Sequence, residues 1–402
     1  MGLADSVLIK SQLRNIISSR MIIFVAFFDL FIQFPIVAPY ARDLGASASY
    51  VGVIMAAYSA TNLIGNIITG RLVDFLGRQT PIIMGAFVTS IALLGYAAST
   101  TPFILLISRF VHGFASSSLT PGSFAMLGDS SPDNRRASVM GRSGAFVAVA
   151  AVLGPPLAGI GKDYFGTNFV FVTGSILMAM AGIIFWILSV ETINSDKRTA
   201  PLEVRQFFSQ SSSLRIFNKG LILACVSVLA FTIGLGGLVT QLPLALASLD
   251  LSSSVSGSVF MVYALAAMVM MVTPIRSLSD RYNRTLFLNI GLITMSIGIA
   301  IIGLYPGIWG ALLGMVIYGI GFGILFPAAT ALVVDSTLVE SRGFGFGIFY
   351  GVYSAGVVIG SLMSGILTDV YGDSSGIPFI LSAMVVIFVA MPSLLSGFKI
   401  RT

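Results

Sequence analysis

The sequence predicts an all-α polytopic membrane protein. Twelve transmembrane helices are expected, in two pseudo-symmetric six-helix bundles with both termini in the cytoplasm. Three observations carry this. The 402 residues are 56% hydrophobic and only 9% charged, against about 25% charged in soluble domains. Lys and Arg gather in alternate breaks between the apolar runs. The second half of the chain repeats the first.

The chain opens on MGLADSVLIKSQLRNIISSR, which is polar and basic. The apolar run after it is long enough to span, so no cleavable signal peptide is expected. Spans are expected near 21–40, 51–70, 80–98, 102–127, 138–160, 168–190, 220–247, 254–275, 285–304, 308–334, 343–367 and 376–397. Each approaches or exceeds the ~20 residues that cross a ~30 Å hydrocarbon layer. With the N-terminus inside, 19 of the 22 Lys and Arg residues fall in inner segments. Arg42 and Lys162 fall outside, and Arg109 lies within a span. That bias places both termini in the cytoplasm. It also accounts for the net charge of +6, which therefore does not argue for nucleic acid as a partner. The longest polar stretch, 191–219, reads as a cytoplasmic linker between bundles at 1–190 and 220–402.

A shift of 206 residues superimposes Leu72, Asp74 and Arg78 on Leu278, Asp280 and Arg284. It also superimposes Pro121, Asp129, Arg136 and Gly141 on Pro327, Asp335, Arg342 and Gly347. Gly154, Gly159, Asp163 and Gly166 fall on Gly360, Gly365, Asp369 and Gly372. Matched Asp, Arg and Pro in register mark a duplication. An even number of helices per copy gives parallel repeats about an axis along the membrane normal, an arrangement suited to alternating access.

The first span, MIIFVAFFDLFIQFPIVAPY, contains Asp29. A charge at the bilayer centre costs about 2.5–3.5 kcal/mol on the milder insertion scale, so it marks a functional candidate. At ~1.5 Å per helical residue, Asp29 and His112 of the fourth span reach similar depth, and Arg109 lies within side-chain reach. Asp29 and Gln33 share one helix face by i, i+4 spacing, and Arg109, His112 and Ser116 share another. A carboxylate that burial and a neighbouring cation push in opposite directions can load and release a proton; a static Asp29–Arg109 pair is the plainer reading. In the second half Leu235, Met315 and Tyr318 stand at the positions of Asp29, Arg109 and His112.

Other chemistries find little support. One Cys, Cys225, excludes a disulfide within the chain, and it reads as a small buried apolar residue. One His excludes a multi-His metal cluster. There is no Ser-His-Asp set and no nucleotide loop, so an enzyme is not expected. Gly319/Gly323 and Gly347/Gly351 have the spacing of helix-packing faces. Pro155 and Pro156 should bend the fifth span.

At 70–82 the sequence reads GRLVDFLGRQTPI. This resembles the loop between the second and third helices of the major facilitator superfamily, G-x-L-x-D-x-x-G-R-[KR], with Gln79 in place of the second basic residue. A weaker copy, RSLSDRYNRT, begins at Arg276. Residues 105–113, LLISRFVHG, resemble the fourth-helix pattern with His112 at its Gln position. Gly154, Pro155 and Gly159 resemble the fifth-helix antiporter pattern, with Ala150 and Ala158 where glycines are usual.

The resemblance implies a secondary transporter of the drug:proton antiporter-like branch. It implies a gating motif of Gly70, Asp74, Gly77, Arg78, Asp129, Arg136, Asp280, Arg284, Asp335 and Arg342. It implies a cavity lined by helices 1, 4, 7 and 10. There Asp29, Arg109 and His112 would couple protons, Gln33 and Ser116 would line one wall, and Gln241, Tyr263, Tyr318, Phe322, Tyr350 and Tyr353 would form a neutral aromatic wall opposite. The expected function is proton-coupled efflux of amphipathic or lipophilic small molecules; the alternative is a proton symporter importing a small metabolite. Expected partners are such a molecule, protons and membrane lipid, without nucleic acid, metal or cofactor beyond the proton gradient. A monomer in a bacterial plasma membrane is expected.

Overall fold

A computed structural model describes residues 3–132, 136–192, 218–273, 284–337 and 342–397, without the side chains of 3–9, 70–75, 136–138, 342–344 and 392–397. The first six passes are α1 (Leu3–Ile32) with α2 (Val37–Asp43), α3 (Ala48–Leu76), α4 (Gln79–Ala97), α5 (Pro102–Ser116) with α6 (Leu119–Asp129), α7 (Arg136–Phe165) and α8 (Thr167–Leu188). The last six are α9 (Lys219–Ala247), α10 (Ser253–Val272), α11 (Arg284–Leu304), α12 (Ile308–Asp335), α13 (Arg342–Tyr371) and α14 (Ile377–Gly397). Among the described residues eleven spans are long and apolar enough to cross a membrane, and Ile377–Met391 is a shorter apolar helix.

Local chemistry sets many of the helix starts. Ser47, Thr101, Asn218 and Ser252 cap α3, α5, α9 and α10, each accepting the backbone N–H three residues on, as short polar side chains do at N-caps. Cys225 is half-buried against the apolar core.

Two expected spans are interrupted. The run 21–40 is not one helix: α1 starts at Leu3 and stops at a turn through 33–36 before α2 resumes. Pro35 lacks the N–H that would continue the ladder. The run 102–127 breaks at Ser117 and Ser118. There Pro121 cannot donate to the Ser117 carbonyl, which accepts Thr69 Oγ1 at 3.3 Å instead. By contrast, α7 carries Pro155 and Pro156 without a break.

The halves of the chain meet along two crossings, α3 on α13 and α7 on α10. Glycines permit both. A Cβ on Gly52 would lie 2.6 Å from Ser361 O, and one on Gly365 2.6 Å from Ala48 O. In the other crossing, a Cβ on Gly257 would overlap Pro155 O, and one on Gly159 would overlap Ser253 O. Gly159 and Gly365 are repeat mates, as are Pro155 and Ser361.

Each crossing ends in a carboxylate clasp. Asp163 at the end of α7 accepts the backbone N–H of Ser253 (3.0 Å) and Ser254 (2.7 Å) at the start of α10. Asp369 at the end of α13 accepts those of Ala48 (2.7 Å) and Ser49 (2.8 Å) at the start of α3. Negative charge is favoured at a helix N-terminus. An Arg42–Asp373 ion pair of 2.7 Å closes the same end.

Toward the opposite end, which carries the 77–78 turn, the packing opens. A Cβ on Gly141, Gly144 or Gly347 would meet nothing within 4 Å, and one on Gly351 would meet only Leu63 Cδ1, at 3.5 Å. The expected packing face at Gly347/Gly351 is therefore not closed. Gly319 and Gly323 do pack, against the backbone of Tyr263 and Ala267. The difference is that α12 lies along α10, whereas α13 is close-packed on α3 mainly near its clasped end.

Candidate functional site

Four helices bring one polar network together inside the first six passes. Asp29 on α1 and Arg109 and His112 on α5 are 3%, 4% and 0% exposed. His112 Nε2 lies 2.8 Å from Asp29 Oδ2, and its Nδ1 lies 2.9 Å from the Tyr96 hydroxyl on α4. Gln33 donates from Nε2 to Asp29 Oδ1 at 3.2 Å. Its Oε1 in turn accepts from Arg109 at 2.6 Å. Tyr58 of α3 packs edge-on to His112, its ring centroid 5.1 Å away. Arg109 Cζ stands 5.3 Å from the Tyr58 ring centroid and 5.9 Å from that of Tyr96, within cation–π range.

The common depth expected for Asp29 and His112 agrees with this contact. The direct Asp29–Arg109 pair is not how the chain is built. Arg109 reaches Asp29 through Gln33 and gives two further donors to the Ile54 (3.1 Å) and Met55 (3.2 Å) carbonyls of α3. A guanidinium has five donors in a fixed fork, and the second lone pairs of helix carbonyls accept them. Ser116, one turn beyond His112, donates to the Tyr58 hydroxyl at 2.9 Å.

The aromatic residues expected opposite also cluster. Tyr263 packs on Tyr318 (5.6 Å) and Phe322 (5.8 Å), and Tyr350 on Tyr353 (6.4 Å). Phe231, absent from the expected set, joins them by touching both Phe322 (5.5 Å) and Tyr353 (5.6 Å). Tyr318 is committed to this cluster, donating to Phe231 O at 3.2 Å. Gln241 stands apart, buried between α9 and α13 and accepting from Ser364 at 3.3 Å. Gly154 faces α1, its Cβ position 3.0 Å from Phe31 Cβ, while Pro155 and Gly159 face α10.

Part of the expected gating motif pairs within each half. Arg78 Nε lies 3.1 Å from Asp129 Oδ2, and its repeat mate Arg284 lies 3.0 Å from Asp335. Asp280 lies outside the described residues, as do the side chains of Asp74, Arg136 and Arg342. Gly70 sits in the last turns of α3. Gly77 ends that helix at φ +91°, a conformation favouring glycine. A Cβ there would also overlap the Glu191 carboxylate.

Glu191 was not singled out by the sequence, where it stands as the first residue of the polar linker. It accepts the backbone N–H groups of Arg78 and Gln79, both at 3.0 Å, and so caps α4. Glu191→Ala is expected to lower stability by about 1 kcal/mol, the usual worth of a cap. A lower thermal midpoint in detergent, relieved by Glu191→Asp, would register it.

Arg109→Ala is expected to leave the protein inserted and monodisperse but unable to concentrate substrate, because Gln33 then loses the donor that aims it at Asp29. Size-exclusion profile and transport in vesicles, measured side by side, test this. Aggregation of the variant would assign Arg109 to holding α5 against α3 instead.

The family model for the Major Facilitator Superfamily matches residues 21–274 and 224–398. The quinolone resistance protein NorA of Staphylococcus aureus is 24% identical over 367 residues, covering 87% of this chain and 90% of that protein. An uncharacterized MFS-type transporter of Methanocaldococcus jannaschii is 25% identical over 340 residues, covering 84% and 87%. Among solved structures, a bacterial homolog of the human lysosomal transporter Spinster, inward-facing and unoccupied, superimposes with a TM-score of 0.80 at 13% identity over 96% of this chain and 97% of that one. A POT family transporter bound to 5-aminolevulinic acid gives 0.79 at 15% identity over 97% of both.

Proposed function

The chain belongs to the major facilitator superfamily and is a multi-pass membrane transporter rather than an enzyme, and on that premise we propose that it is a proton-coupled exporter of amphipathic or lipophilic small molecules. The observation that carries this is the asymmetry of the two halves: a buried carboxylate–imidazole pair in the first, a neutral aromatic cluster in the second. Similarity to a quinolone resistance protein supports the efflux direction. The proposed orientation has both termini and the 77–78 turn in the cytoplasm and the aspartate clasps outside. The protein works as a monomer in a bacterial plasma membrane, with the proton gradient in place of a cofactor.

A route from proton to helix movement supports this reading. A proton on Asp29 Oδ1 turns that atom from acceptor to donor. Gln33 must then present its oxygen, which withdraws it from Arg109. Arg109 is bonded to α3, one of the two helices at which the halves cross. Loading a proton thus bears on a crossing helix without a rigid ion pair in between.

Inverted vesicles with an acid lumen test the reading, with ethidium as a planar lipophilic probe. Antiport predicts alkalinisation of the lumen when the probe is added. Acidification would indicate symport, and no change would remove proton coupling for this probe.

A further inference from the structure

We infer that Tyr96 is a positioning residue: its phenol donates to His112 Nδ1, keeps that imidazole neutral with its proton on Nε2, and so confines proton loading to Asp29. The inference deepens the proton-coupled reading above and rests on it.

The argument starts from the two ring nitrogens. A neutral imidazole has one N–H and one lone pair. Tyr96 is 0% exposed, with its hydroxyl 2.9 Å from Nδ1. If that hydroxyl donates, Nδ1 holds the lone pair and the ring proton sits on Nε2. Nε2 then donates to Asp29 Oδ2 across 2.8 Å. Gln33 donates to the other oxygen at 3.2 Å. Every hydrogen bond then points toward Asp29.

The doubly protonated ring fits worse. Its Nδ1–H would have to donate to the Tyr96 oxygen, and the phenol hydrogen would need another acceptor. The rings and the cation packed on Tyr96 are Phe171 (centroid 5.2 Å), the His112 ring itself (5.4 Å) and the Arg109 guanidinium (5.9 Å). None is an acceptor comparable to a carbonyl or carboxylate, and Arg109 adds a like charge beside an imidazolium. The titratable groups around His112 are Asp29 from α1, Tyr58 from α3, Tyr96 from α4 and Arg109 on its own helix. Asp29 alone favours the charged ring, and Tyr96 removes the site where the second proton would go. The Tyr96 backbone is fixed independently, since Tyr40 donates to its carbonyl at 3.0 Å. Removing the phenol oxygen therefore acts on its hydrogen bonds, to His112 Nδ1 and from Arg109, and leaves the backbone in place.

The chain contains one histidine, so nitrogen-15 labelling of histidine gives a single imidazole spectrum from the intact protein in lipid nanodiscs. Wild type is expected to show one protonated nitrogen, Nε2, at neutral pH. Tyr96→Phe takes away the donor to Nδ1 and offers no acceptor for a second ring proton, so its ring is expected to stay singly protonated on Nε2, with the Nδ1 signal moved to that of a nitrogen without a hydrogen bond. A wild-type ring protonated on Nδ1 or on both nitrogens would overturn the assignment. So would a Tyr96→Phe spectrum whose Nδ1 signal is that of wild type. The wild-type spectrum decides even if the variant does not fold. Should proton-driven accumulation be absent while wild type shows the Nε2 tautomer, the coupling reading fails and the placement by Tyr96 stands.

Discussion

Asp29→Asn should abolish pH-driven accumulation while leaving substrate exchange partly intact. Asparagine keeps the shape of the side chain and one acceptor for His112, but it cannot ionise. The two donors that converge on the carboxylate, from His112 at 2.8 Å and Gln33 at 3.2 Å, lose the charge that organises them. Exchange of substrate for substrate needs no net proton movement and should survive. Wild type and variant in vesicles with an imposed pH gradient give the comparison, again with ethidium. Near wild-type accumulation by the variant would exclude Asp29 as the coupling site.

Gly159→Leu should have an effect of similar size through a different route. Its Cβ would meet the Ser253 carbonyl and the Ser254 Cα, which are backbone and cannot swing aside. Overpacking typically costs about 1–3 kcal/mol. States of a transporter that differ by a few kcal/mol would be re-ordered by that amount, with each ~1.4 kcal/mol worth a factor of ten. The clasped state is lost and the cycle stops. Spin labels at positions 43 and 374, with Cys225 replaced by Ser, should report a longer distance across the clasped end. Unchanged distance and unchanged transport would show that α7 and α10 do not need this close approach.

Much of this was legible in the sequence. Period and length place the spans, and the repeat places Asp163 opposite Asp369. Depth arithmetic puts Asp29 beside His112. Pro35 and Pro121 carried the signal for the two broken spans, which run length alone overrides. The partners of Arg109 were not legible, because main-chain carbonyls such as those of Ile54 and Met55 have no signature in the residue types that carry them. Tyr96 reads in sequence as one more aromatic in an apolar span, and only the fold turns its hydroxyl toward His112. Glu191 reads as the start of a polar linker, because nothing local shows that the start of α4 lies above it. Gly347 shares its spacing with Gly323, and only tertiary packing separates a filled groove from an empty one.

The two clasps also divide the burden of inheritance unevenly. Their donors are main-chain N–H groups at Ala48, Ser49, Ser253 and Ser254, joined by the hydroxyls of Ser49 and Ser254. Any residue but proline supplies the main-chain group, so Ala48 and Ser253 are the freer positions, while Ser49 and Ser254 add a hydroxyl that few residues replace. Proline is otherwise welcome at the start of a helix, yet here it would delete half a clasp. Asp163 and Asp369 have no such latitude, since Asn offers one acceptor where two are used and Glu moves them by a methylene. The closure of a duplicated ancestor would therefore stay pinned to one aspartate per copy and to the glycines that let each crossing close.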